Sequence, residues 1–180
     1  TIKKASKGIA VAYGNIFLDR EINKRLGDKL YHPNKDGRAR RYNAVYVFQN
    51  GKPAIRTRES KILPMGVQPK TLLPTYRLFD DSRYFFSLHD TALDACIPLK
   101  ELVQPFLIKL GGKKTPIGFE LCEDLWCRDY RLCGESINIT KLLIENGAKY
   151  ICNLSASPWT YGKNASRDRK FLFLKSESQE

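Results

Sequence analysis

At 180 residues, 42% of them hydrophobic and 11% aromatic, the chain has the material for one domain with a core and too much apolar content for a disordered segment. No apolar run reaches membrane-spanning length, and no secretory h-region follows Thr1-Ile2-Lys3-Lys4. The 31 Lys+Arg against 19 Asp+Glu give a net charge of +12. These cations are scattered, however, and no ribonucleoprotein, zinc-finger or helix-turn-helix motif goes with the densest cluster, Lys35 to Arg41, so a solvated basic surface is expected rather than a nucleic-acid interface.

In chain order, Gly8 to Gly14 is a short apolar run closed by glycine and reads as a buried strand. Phe17 to Tyr31 is charged and ambiguously helical, and Pro33 to Gly37 is a turn cluster. Asn43 to Phe48, Asn50-Gly51 and Pro53 to Thr57 read as strand, turn, strand, the Asn-Gly pair being a type I′ hairpin signal. Leu63 to Pro74 reads as irregular and Tyr84 to Leu88 as a strand. Leu99, Leu102, Val103, Phe106, Leu107 and Leu110 recur at helical spacing, with Gly111-Gly112 as the stop. Thr115 to Leu121 is a strand. Ile139 to Ile144 is a helical face ending at Asn146-Gly147, Tyr150 to Leu154 is a strand, and Lys163 to Phe173 opens an amphipathic helix. Hairpins followed by alternating strands and helices define a layered α/β domain, with no linker or repeat across residues 1–180.

The segment Gly118-Phe119-Glu120-Leu121-Cys122-Glu123-Asp124-Leu125-Trp126 carries the strongest chemical signal. A strand ends at a cysteine, which suits a nucleophile aimed by a rigid element into a loop-lined space. Cys122 could equally be a small buried hydrophobe. The five cysteines, Cys96, Cys122, Cys127, Cys133 and Cys152, are an odd number, which argues for a reducing compartment, hence cytoplasm, over a disulfide framework. The spacing of Cys122, Cys127 and Cys133 lacks a Cys-x-x-Cys knuckle, and His32 and His89 lie far off in sequence, so no metal site is expected. His89 as the base of a Cys–His protease lacks any supporting signature, and there is no Gly-rich phosphate loop.

Two further segments accompany Cys122. Lys70 to Phe85 reads Lys-x-x-Leu-Pro-x-Tyr-x-x-Phe-Asp-Asp-x-Arg-Tyr-Phe, with Leu73-Pro74, Tyr76, Phe79-Asp80 and Arg83-Tyr84-Phe85 at fixed distances from Lys70. Ser155-Ala156-Ser157-Pro158 leads to Lys163. Lys61-Ile62-Leu63-Pro64 echoes the first motif without its downstream residues. Taken in order, the three segments resemble the nitrilase superfamily of carbon–nitrogen hydrolases, and within it the glutaminase domain of glutamine-dependent NAD synthetase.

That resemblance implies a four-layer α-β-β-α sandwich, incomplete here at both ends. It implies that Cys122 attacks the side-chain amide of L-glutamine to give a thioester and ammonia, with Lys70 and a backbone N–H stabilising the oxyanion. Tyr76 and Asp81 would line the glutamine pocket. Ser157 and Lys163 would meet the amino-acid end, where a cation suits an α-carboxylate, and Trp126 would either wall the pocket or fill the core. The family's general-base Glu belongs to a Pro-Glu segment expected upstream of Thr1. Glu21, the one acid in helical context there, matches nothing of it and reads as a surface residue, so the isolated chain is expected to be inactive. ATP, magnesium and deamido-NAD are expected only in a synthetase domain, whose Ser-Gly-Gly-x-Asp-Ser loop is absent from these residues. The resemblance further implies homo-oligomerisation. Two alternatives stand beside this: another nitrilase-type amidase, and a truncated binding or assembly module without catalysis.

Overall fold

The computed structural model describes residues 2–26, 39–76, 78–127, 130–131, 134–157 and 160–177. Two sheets face each other. In the first, β1 (Ala10–Asp19) runs antiparallel to β2 (Arg40–Gln49) along its whole length. The other edge of β2 is shared by β3 (Lys52–Pro53) and β4 (Val67–Pro69). In the second, β5 (Phe106–Leu110) is antiparallel to β6 (Lys113–Leu121), and β6 is parallel to β7 (Tyr150–Leu154). Short helices α1 (Ile2–Ala5), α2 (Ile22–Leu26), α3 (Leu88–Asp94) and α4 (Leu99–Leu102) punctuate the first two-thirds, and α5 (Ile139–Glu145) and α6 (Lys163–Glu177) the last.

Alternation along the strands builds the layers. Val45 and Val47 of β2 face Phe106 and Ile108 of β5 and Phe119 and Leu121 of β6 in one buried cluster between the sheets. The neighbouring residues Tyr42 and Ala44 point to the other face of β2, onto Val67, Phe17 and Phe86. On β6 the residues that alternate with Phe119 and Leu121, Gly118 and Glu120, face outward to the helices. Thr140 of α5 donates to Glu120 Oε2 at 2.9 Å, and Gly118 lies against Leu143. Leu88, Ala92, Leu102 and Ile139 complete this helical layer. Arg56 joins the sheets: its guanidinium lies 5.0 Å over the Phe106 ring and donates to the carbonyls of Pro64 (3.0 Å) and Val67. Burial pulls its pKa down to about 10.

Strands β2, β6 and β7 and helices α5 and α6 fall where the sequence places them, and α2 is confined to Ile22–Leu26. Strand β1 is present and continues to Asp19, but it is not the buried strand expected: as the edge of its sheet it holds only exposed and half-buried residues before Asp19. Asn50 and Gly51 both have positive φ, 51° and 75°, as a two-residue type I′ hairpin requires. The turn cluster at Pro33 to Gly37 lies outside the described residues. Five further expectations are corrected. The strand read over Pro53 to Thr57 ends at Pro53 in β3, with only an isolated bridge from Arg56 to Phe106 beyond it, because β4 takes the edge of β2 from Tyr46 to Ala44. The helix read over Leu99 to Leu110 is only the single turn of α4 followed by strand β5, because Pro105 removes an N–H and biases Gln104 away from helical geometry. Gly111-Gly112, with φ of 53° and 87°, is therefore a hairpin turn into β6 and not a helix stop. Tyr84 to Leu88 is no strand. Ser87 caps α3, its Oγ accepting from Asp90 N at 2.9 Å while Asp90 Oδ2 accepts from Ser87 N at 3.2 Å. Leu63 to Pro74, read as irregular, contains β4. No helix of the described residues is long and apolar enough to cross a membrane.

A Cβ at Gly118 would meet Leu143 Cδ1 at 2.9 Å. Gly118→Val is therefore expected to destabilise the fold by about 1–3 kcal/mol in urea unfolding, despite the β-propensity it adds, and Leu143→Ala in the same chain to recover part of the loss. Unchanged stability in the single variant would contradict this packing of α5 on β6.

Candidate active site

Cys122 is the first residue beyond β6, beside the end of its parallel neighbour β7 (Leu121 pairs with Leu154). The carboxyl ends of parallel strands are where an α/β sheet leaves a crevice. Cys122 adopts φ +43°, a left-handed conformation that costs a non-glycine residue about 1–3 kcal/mol and persists only where surrounding contacts fix it. Those contacts are present. Asn153 of β7 donates from Nδ2 to the Cys122 carbonyl at 3.3 Å and to Glu120 Oε1 at 3.1 Å. Residues Cys122–Leu125 form a 3₁₀ turn closed by Trp126 N on Glu123 O at 2.8 Å.

Asp124 holds this turn against the segment that carries Lys70. Its Oδ1 accepts from Thr71 N (3.0 Å) and Leu72 N (2.8 Å), and its Oδ2 accepts from Leu121 N (3.0 Å). Lys70 follows β4. Its N–H donates to Asn43 O at 2.8 Å, its carbonyl accepts from Leu88 N at 2.9 Å, and its ammonium pairs with Asp81 Oδ2 at 3.0 Å. Only 4% of Lys70 is exposed, so its charge is held by the carboxylates around it instead of by water.

A cavity of about 1320 Å³ opens above these groups. All seven residues singled out in the sequence line it: Cys122, Lys70, Tyr76, Asp81, Trp126, Ser157 and Lys163. Asp81 does more than line it, since it is the ion-pair partner of Lys70. Trp126 both walls the cavity and packs on the buried cluster of Leu72, Leu125, Cys127 and Leu174. That cluster seats α6, and with it Lys163, against the Lys70 and Cys122 segments. Lys61 is exposed and does not line the cavity. Neither does Glu21, which pairs with Lys24 at 2.8 Å on the surface.

The sequence reading missed three things. Glu123, next to the cysteine and only 6% exposed, lines the cavity and accepts from Tyr76 OH at 3.3 Å and Tyr130 OH at 2.7 Å. The clamp at Asp124 was within the quoted motif, but no spacing rule shows which backbone amides a carboxylate will reach. The cavity wall also recruits Gly14, Asn15 and Ile16 from β1, a neighbour only the sheet pairing reveals.

Two carboxyls lie beneath the cavity floor. Burial pushes Asp124 up to about 6, against the opposing pull of its three N–H bonds and the Lys70 charge. Burial, reinforced by Asp124 nearby, pushes Glu120 up to about 7 against its bonds from Asn153 and Thr140.

No protein-family model matches the chain. A half-buried cysteine on a strained turn and a buried lysine thus line one cavity at the end of a mixed sheet in an α/β chain. Among curated proteins the chain is similar to the glutamine-dependent NAD(+) synthetase of Aquifex aeolicus, at 27% identity over 139 residues, 77% of this chain and 18% of that protein. It matches that of Synechocystis sp. at 35% over 102 residues, 55% and 15%, and that of Thermotoga maritima at 30% over 135 residues, 75% and 17%. The solved structure of glutamine-dependent NAD+ synthetase from Acinetobacter baumannii, in complex with adenosine diphosphate, superposes with a TM-score of 0.55 at 25% identity, covering 93% of this chain and 22% of that one. The chain is a homologue of the glutamine-dependent NAD(+) synthetases. It spans less than a fifth of the length of the curated relatives it matches.

The raised carboxyls set a pH dependence. Glu120 goes from 4.5 to about 7 on folding, so across that interval the folded state binds more protons than the unfolded state and stability falls as pH rises. Glu120→Gln keeps an acceptor for Asn153, and the Thr140 hydroxyl can turn to accept from the new amide. The variant is expected to show a flatter decline of stability between about pH 4.5 and 7 than the wild type, measured by urea midpoints at a series of pH values. Parallel profiles would show that Glu120 does not take up a proton on folding.

Proposed function

We propose that this chain is the glutamine-hydrolysing part of an enzyme of NAD biosynthesis, of the nitrilase type, and that its complete domain is the four-layer α-β-β-α sandwich. The observation that carries this is the opening of Cys122 and Lys70 into one cavity, their segments tied together by Asp124. The cavity's charges suit a zwitterion. Glu123 with Tyr76 offers an anionic end for an α-ammonium, and Ser157 with Lys163 a cationic end for an α-carboxylate.

In this reading the Cys122 sulfur attacks the side-chain amide carbon of L-glutamine. The oxyanion that forms is stabilised by the Lys70 ammonium and a backbone N–H beside the nucleophile. The carbon–nitrogen bond breaks, the nitrogen leaves as ammonia after taking up a proton, and a thioester remains on Cys122. Water then cleaves the thioester to glutamate and free thiol. The general base comes from outside these cavity residues, because both carboxylates that line the cavity are engaged: Asp81 with Lys70, and Glu123 with Tyr76 and Tyr130. The same observation favours the second reading for the 180 residues taken alone, a module that binds without turnover. Ammonia release from the purified chain separates the two, with multiple turnovers overturning the external base.

The ammonia would serve a synthetase domain acting on deamido-NAD with ATP and magnesium. The residues here do not fit those groups: the chain has no Ser-Gly-Gly-x-Asp-Ser loop, and no three metal-ligating side chains come together among the described residues. No step above runs through them. Cytoplasmic location and a homo-oligomeric whole protein belong to the same proposal.

In the whole protein that carries this chain, Cys122→Ala is expected to abolish glutamine-dependent NAD formation and to spare the ammonia-dependent reaction, both followed as NAD produced. Loss of both in a folded variant would count against the assignment. Lys70→Met is expected to lower glutamine turnover about a hundredfold or more, the scale of a lost oxyanion donor, and Lys61→Met to leave it intact.

A further inference from the structure

At the start of α6, Lys163 and Arg167 stand four residues apart, on one face of the helix. Like charges at that spacing repel, and cations in the first turns oppose the helix dipole. The first turn of α6 holds no acidic residue, and among the described residues neither Lys163 nor Arg167 has a carboxylate partner. Helix stability does not account for this arrangement. An anion in the adjoining cavity does, since Lys163 lines that cavity.

Arg167 is not itself on the cavity wall. Its Nη2 donates to Ser157 Oγ at 3.0 Å, and Ser157 is on the wall. A hydroxyl that accepts through one lone pair keeps its own proton to donate. Among the described residues the Ser157 hydroxyl has no acceptor for that proton. The guanidinium therefore orients the Ser157 O–H for a ligand oxygen and adds a second positive charge behind it. Lys163, a point charge without a planar fork, would otherwise work alone.

We propose that Arg167 is a positioning residue that acts through Ser157 to select amides carrying an α-carboxylate. This rests on the reading of the cavity as a glutamine site. The test is steady-state glutamine hydrolysis by the whole protein, read as ammonia release, together with alkylation of Cys122 by iodoacetamide, which has no carboxylate. Arg167→Met is expected to raise KM for L-glutamine about tenfold or more, the effect of losing a charge-assisted hydrogen bond, with a much smaller change in kcat and in the alkylation rate. Arg167→Lys keeps the charge and the helix propensity without the fork, and is expected to give a smaller rise; it also serves should the Met variant fold poorly. Combined with Ser157→Ala, Arg167→Met is expected to add less than its separate effect, because the two act as a unit. A KM unchanged in both Arg167 variants, or a loss of kcat and of alkylation rate as large as the rise in KM, overturns the proposal. Glutamine hydrolysis that persists in Cys122→Ala, whatever Arg167 does, defeats the reading of the cavity itself.

Discussion

One buried carboxylate ties the site together. Asp124 is 3% exposed and accepts three backbone N–H bonds, two from the stretch just after Lys70 and one from the residue just before Cys122. Lys70 and Cys122 are far apart in sequence, on segments from different sheets, and a hydrophobic core alone would leave their separation loose. A hydrogen-bonded carboxylate ties the two backbones to each other directly, through Thr71 and Leu72 on one side and Leu121 on the other. Each of those amides left unpaired in the interior would cost about 1–3 kcal/mol, so the arrangement is held firmly once made. Burying the charge is itself expensive, and the opposing pulls on Asp124 show in its pKa, which rises to about 6 in spite of three donors and the nearby Lys70.

The same constraint explains how the strained cysteine survives. A left-handed φ at Cys122 requires both flanks of the turn to be fixed. Asp124 fixes the incoming side through Leu121 N, and Asn153 fixes the Cys122 carbonyl from the neighbouring strand. Behind them, Glu120 is shared between Asn153 and Thr140, which links the turn to α5. The carboxylates thus separate by depth. Glu120 and Asp124 hold the scaffold, whereas Glu123 and Asp81 face the cavity and manage charge there.

Much of this was legible in the sequence, for reasons that differ by segment. The β6–Cys122 junction and the β7 and α5 periods are strong local patterns, and the residues picked from the three motifs do share one cavity. Where the reading went astray, a competing local rule decided. The apolar spacing from Leu99 to Leu110 matched a helix, yet Pro105 split it and strand pairing with β6 claimed its second half. The aromatic run ending at Leu88 looked like a strand, although Ser87 and Asp90 form a capping box that could have been read. Asp124 and Arg167 were not legible, because their partners are fixed by tertiary placement and not by spacing along the chain.

The central claim is that Asp124 couples the lysine segment to the cysteine turn. Amide hydrogen exchange of Thr71, Leu72 and Leu121, compared between the wild type and Asp124→Ala, tests it most directly. The alanine removes both acceptor oxygens, Oδ1 from Thr71 N and Leu72 N and Oδ2 from Leu121 N, so the account predicts that protection falls on both sides of the clamp while amides in β2 keep theirs. It also predicts that labelling of Cys122 by 6-diazo-5-oxo-L-norleucine slows in the same variant. Protection that stays unchanged at Thr71 and Leu72, with Cys122 labelled at the wild-type rate, would contradict it.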